Sequence, residues 1–119
     1  MAIYTNLPIY KAAYSFMQVF SKMMPDMPRD CRYTLGQDTR RKIMEVIVLV
    51  YRANRTRQKV AVISQMRETL LEIQVYVRLM SDLKYISQGR YVLLAELTSD
   101  MSKQMASWEK SERDRYGGQ

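Results

Sequence analysis

The 119-residue sequence has no histidine, one cysteine, three prolines and four glycines. Without histidine, the commonest general base and the commonest metal ligand are both missing. The single thiol, Cys31, forms neither a disulfide within the chain nor a thiolate metal site. Glycine is sparse and scattered, and there is no Walker-type loop, no GxGxxG and no GxSxG. Glu68 and Glu72, one helical turn apart, have the spacing of a solvated face rather than of a paired acid and base. These absences argue against an enzyme and lead us to expect no catalytic residue, no cofactor, no metal and no small-molecule substrate. Long apolar runs are missing too: none approaches the ~18 residues that cross a bilayer. The opening MAIYTNLPIYK lacks the basic-then-apolar pattern of a secretory signal. The expectation is a cytoplasmic protein with no membrane partner.

Apolar residues at helical spacing run through most of the chain. Tyr10, Ala13, Met17, Phe20 and Met24 form one stripe, and Ile63, Met66, Leu70, Ile73, Val77 and Met80 a second. Tyr91, Leu94, Thr98, Met101, Met105 and Trp108 form another. The segment between the first two gives Tyr33, Gly36, Arg40, Ile43, Ile47, Val50 and Asn54. Alternating steps of three and four put each set on one face of an α-helix. Asn6-Leu7-Pro8 and Asp26-Met27-Pro28 each offer a capping side chain followed by a proline in the first turn. Pro25 ends the first helix, and Ser87 is placed to cap the last. The expected fold is all-α, an antiparallel up-down four-helix bundle. It forms a single domain over 1–112, with helices near 7–24, 28–55, 59–83 and 88–111 and a frayed tail at 113–119. The turn after helix 2 has neither Gly nor Pro. Asn54 in a left-handed cap with Thr56 capping helix 3 is one reading, and an unbroken helix is the other.

Apolar surface exceeds what one bundle core needs. Helix 2 carries Met44, Val48 and Tyr51 beside its main stripe, with Val46 and Leu49 reaching further round. Helix 3 carries Leu71, Val75 and Leu79 nearly opposite its own. A second stripe needs a second neighbour, either another copy of the chain or a protein partner. A wide monomer core is the alternative. The ten methionines fall largely on core stripes, where gap-filling is their usual work.

Acids are scarce where bases concentrate. Nineteen Lys and Arg face twelve Asp and Glu, for a net charge of +7. From Arg29 to Lys59, nine basic residues stand against Asp30, Asp38 and Glu45. The stretch IMEVIVLVYRANRTRQK, residues 43–59, passes from an apolar helix straight into this basic end. Arg52 and Arg55 suit a helix C-terminus, but Arg57 and Lys59 oppose the dipole of the helix that follows. A set that breaks a local rule points to a partner, and arginine's planar fork matches phosphate. Arg40, Arg41, Lys42, Arg52, Arg55, Arg57 and Lys59 are therefore the candidate nucleic-acid-binding residues. Met44, Val48, Tyr51, Leu71, Val75 and Leu79 are the candidate oligomer interface.

Four blocks, LPIYKAAY at 7–14, RYTLGQDTRRKIMEVIVLVYRAN at 32–54, VRLMSDLKYIS at 77–87 and KQMASW at 103–108, resemble the Avd family. These are the accessory variability determinants of diversity-generating retroelements. Tyr33-Thr34-Leu35-Gly36 and Tyr51-Arg52-Ala53-Asn54 are the most distinctive stretches. The resemblance implies a four-helix bundle assembling as a homopentamer, with a reverse transcriptase and RNA or DNA as partners. It further implies a non-catalytic role in mutagenic retrohoming. A wider set of bundle proteins, encoded within intervening sequences of ribosomal RNA genes, shares weaker parts of the pattern. A general protein-interaction or ribosome-associated module is the alternative function. Within the pattern, Tyr33, Gly36 and Trp108 are expected to serve packing.

Overall fold

Prolines punctuate the first third of the chain. In the computed structural model, which describes residues 3–115, Pro8 opens helix α1 (Pro8–Met23) at a position that needs no intrahelical N–H. Pro25 lies in a short 3₁₀ turn, Met24–Asp26, and Pro28 precedes the next helix. Helix α2 covers residues 29–55 without a break, although a π turn over Arg32–Gly36 interrupts its α-geometry. Helix α3 is Lys59–Asp82 and helix α4 is Gln88–Arg115. No strand occurs among the described residues. Of the expected tail, residues 113–115 are helical, and 116–119 lie outside the described residues.

These helices form a bundle in which α2 packs on α3, α3 on α4, and α1 against both α2 and α4. The α3 seam is Ile63, Met66, Leu70, Ile73, Val77 and Met80, all buried as their spacing predicts. On α4, Leu94, Thr98, Met101 and Met105 are buried, while Tyr91 and Trp108 flank the core half-exposed. The α1 seam runs through Ile9, Ala13, Phe16, Phe20 and Met23. Tyr10 and Met17 fall beside it rather than on it.

Helix α2 departs most from the expected register. Its buried face is Gly36, Thr39, Ile43, Val46, Val50 and Ala53, with Leu49 alongside. Arg40 is exposed, Ile47 and Asn54 are half-buried, and Tyr33 is 56% exposed. Both registers pass through Gly36, Ile43 and Val50, so spacing alone does not separate them. Thr39 tolerates burial because its hydroxyl donates to the Leu35 carbonyl at 2.8 Å. Val46 and Leu49 are thus core residues and not part of a second stripe.

The π turn explains Tyr33. One extra residue in a turn separates the buried Cys31 and Gly36 by five positions. Tyr33 is rotated outward, where the guanidinium carbons of Arg29 and Arg32 lie 5.8 and 5.4 Å from its ring centroid. Gly36 permits a close approach at this point. A Cβ there would come within 3.2 Å of the Cys31 carbonyl and 3.3 Å of the Met24 methyl. Burial pushes the Cys31 thiol up from its ordinary pKa.

The caps also differ from expectation. Neither Asn6 nor Asp26 caps a helix: Leu7 and Pro28 occupy those positions, without side-chain bonds. Asp26 instead pairs with Arg90 at 2.7 Å, tying the first connection to the start of α4. Ser87 does cap, its hydroxyl accepting the Arg90 N–H at 3.2 Å. At the end of α3, the N–H groups of Lys84 and Tyr85 return to the carbonyls of Ser81 and Met80, a Schellman motif. Lys84 holds the left-handed position at φ 61°. Glycine carries no Cβ penalty there. Lys84→Gly is therefore expected to raise stability by about 0.5–1 kcal/mol, read as a higher denaturation midpoint with an unchanged slope.

Candidate nucleic-acid interface

The basic end of α2 is built by the break in the chain. α2 ends at Arg55, and Thr56 turns extended at φ −95°, ψ 158°. The Thr56 hydroxyl accepts the Gln58 N–H at 3.1 Å, after which α3 begins at Lys59. A single unbroken helix is thereby ruled out. Asn54 is not left-handed but belongs to the last helical turn.

The seven candidate cations divide into two groups. Arg40, Arg41 and Lys42 lie in the first half of the regular helix. Arg52, Arg55, Arg57 and Lys59 gather at its end, about 20 Å further along at ~1.5 Å per residue. In the first group, Arg41 pairs with Asp38 at 3.0 Å and Lys42 with Glu72 of α3 at 2.9 Å. The hydrogen bond to Glu72 holds the Lys42 ammonium above its ordinary pKa. Arg40 donates only a weak contact, 3.7 Å, to the Met24 sulfur.

The second group contains one residue with a plain structural job. Lys59 reaches back across the turn and donates to the Ala53 carbonyl at 2.8 Å. It thereby neutralises the negative end of α2, which gives a cation at the start of α3 a structural reason despite the dipole of α3. Arg55 stacks on Tyr51 with its guanidinium carbon 5.2 Å from the ring centroid, and also bonds the Tyr51 hydroxyl. Tyr51 meets Tyr4 edge-on, ring centroids 5.0 Å apart. Among the described residues, Arg52 and Arg57 are exposed and have no carboxylate partner. Val48, Tyr51, Arg52, Arg55 and Thr56 line a shallow depression of about 460 Å³. An arginine held on an aromatic ring, with exposed arginines and an open hollow beside it, can hold a phosphate chain and stack a planar group.

All six residues of the candidate oligomer interface are exposed. Met44, Val48 and Tyr51 are 49, 48 and 40% accessible, and Leu71, Val75 and Leu79 are 59, 58 and 39%. The two ridges look in different directions. Tyr51 borders the α1 side through Tyr4, whereas Leu71 shares a hollow with Ser102, Glu109 and Arg113 of α4. The Lys42–Glu72 pair joins α2 to α3. Sequence reasoning passes over Arg29 and Arg32 as contact residues, yet both stack on the exposed Tyr33. Their signal is an aromatic set one and four residues away on the same turn.

No helix among the described residues is long and apolar enough to cross a membrane. Comparison with curated proteins gives no match. A family model described as bAvd-like matches residues 7–112, which span all four helices. With nearly the whole bundle inside that match, the chain belongs to the bAvd-like family.

Proposed function

We propose that this chain is a non-catalytic accessory protein of a diversity-generating retroelement, binding the reverse transcriptase and its template RNA or cDNA. Family membership supports the accessory role in such retroelements. The observation that carries the nucleic-acid part is the group at the end of α2. There, Arg52 and Arg57 stand exposed without carboxylate partners among the described residues, beside the stacked Arg55. An exposed guanidinium with no acid beside it keeps its full attraction for phosphate. Lys42, Arg41 and Lys59 already spend charge inside the molecule, so they contribute less.

The working form is a cytoplasmic homopentamer of single-domain, antiparallel up-down bundles. Short connections between successive helices favour the up-down arrangement. The two outward ridges of α2 and α3 supply the apolar surface that a ring of copies would cover. Co-purification tests the partner directly. Tagged protein is expected to retain the cognate reverse transcriptase, with more retained when template RNA is present. A reverse transcriptase that washes away in both conditions overturns the reading and leaves a general interaction module.

A further inference from the structure

A hollow of about 600 Å³ lies at the amino end of α3, bounded by Arg57, Lys59, Val60, Ala61, Glu112 and Arg113. α3 starts without a side-chain cap and without an acid in its first turn, so its positive end is uncompensated from within the helix. Glu112 supplies an independent observation. It is only 6% exposed, and its Oε2 has no hydrogen-bond partner among the described residues. Its Oε1 lies 3.8 Å from Arg115. A buried carboxylate oxygen without a donor is costly. Glu112 also sits near the C-terminal end of α4, where the helix dipole disfavours negative charge. Local stability accounts for neither feature.

We propose that this hollow is a nucleotide subsite, with phosphate held at the amino end of α3 between Arg57 and Arg113. Glu112 then accepts an N–H or O–H from the sugar or base. A bare anion gains from the helix end and the arginines but is repelled by Glu112. A bare cation meets the reverse problem. A ligand that carries phosphate and a hydrogen-bond donor a few ångströms apart satisfies both, and every nucleotide does. The side chains of Arg57 and Arg113 border the hollow and are open to solvent, so both can turn toward a ligand there. The inference rests on the polyanion reading above and sharpens it. A free nucleotide and a nucleotide within RNA offer the same chemistry.

Calorimetric titration of the full chain with guanosine 5′-monophosphate and with inorganic phosphate tests the subsite. The nucleotide is expected to bind at least about tenfold tighter than phosphate, the scale of one hydrogen bond to a charged group. Glu112→Gln should shrink that preference to under about threefold, with phosphate affinity rising as the repulsion from the carboxylate is lifted. Ala61→Phe, which narrows the hollow without touching either charged wall, should abolish nucleotide binding and guards against a misfolded Glu112 variant. Displacement of the nucleotide by short RNA assigns the subsite to the polynucleotide, and lack of displacement assigns it to a free nucleotide. Equal affinity for the two probes, or an undiminished preference in Glu112→Gln, overturns the subsite. Salt-dependent RNA binding that persists alongside either result leaves the broader polyanion reading standing.

Discussion

Reversing Arg52, Arg55 and Arg57 to glutamate together is expected to lower RNA affinity by about 10²–10³-fold at roughly 50 mM salt. Each reversal removes an attraction to phosphate and adds a repulsion, so about a tenfold loss per site is the natural scale. The dependence on salt should flatten as well, because fewer counterions are released when fewer phosphates are neutralised. Fluorescence anisotropy of labelled RNA across a salt series reads both quantities. Undiminished binding, or an unchanged salt slope, would remove the end of α2 from the interface. Light scattering on the same variant is a needed control, since Arg55 stacks on Tyr51 and Tyr51 belongs to a proposed subunit contact.

Three of the other four candidate cations should behave differently, and the contrast gives the prediction its force. Lys42 and Arg41 are engaged with Glu72 and Asp38, and Lys59 with the Ala53 carbonyl. Neutralising Lys59 should cost fold stability near the α2–α3 turn more than it costs RNA affinity. Sequence composition counts all seven alike, because it sees charge and not what the charge touches. Lys59 reaches its acceptor six residues back only because the chain breaks at Thr56. No periodicity in the sequence encodes that reach.

Much of the fold is legible from spacing and punctuation. Ile63 to Met80 read correctly because that stripe runs uncharged through six positions, whereas the opposite ridge of Leu71, Val75 and Leu79 stops at Arg67 and Asp82. α2 does not read so cleanly. Val46 and Ile47 are equally apolar, and only Arg40 and Asn54 against Thr39 and Ala53 distinguish the two registers. The polar pair at 40 and 54 is the signal that favours the observed face. The π turn is invisible to any pattern with a fixed helical period, so Tyr33 is misplaced as a packing residue. The hollow beside Glu112 is equally hidden. A glutamate near a helix end looks like an ordinary surface charge until α3 is seen to bring its amino end beside it.

Assembly admits a prediction of similar size. A ring is closed by heterologous contacts, in which one face of a subunit meets a different face of the next. The two ridges suit that arrangement: Met44, Val48 and Tyr51 lie on α2 among Arg41, Glu45, Arg52 and Arg55, and Leu71, Val75 and Leu79 on α3 among Arg67, Glu68, Glu72, Arg78 and Asp82. Each ridge presents three exposed apolar side chains to a neighbour. Val48→Asp and Val75→Asp each place a carboxylate at the centre of one ridge, and burying it unpaired should weaken association at least about 100-fold. Alone, each variant should therefore run as a monomer at micromolar concentration. Mixed, they should form a dimer and nothing larger. The Val48→Asp chain keeps an intact α3 ridge and the Val75→Asp chain an intact α2 ridge, so they join once, and the two damaged faces then block growth. Wild-type mass for either variant alone would exclude its ridge from the contact. A mixture that stays monomeric would show that the two ridges do not meet. Each of these results is read from a single light-scattering run.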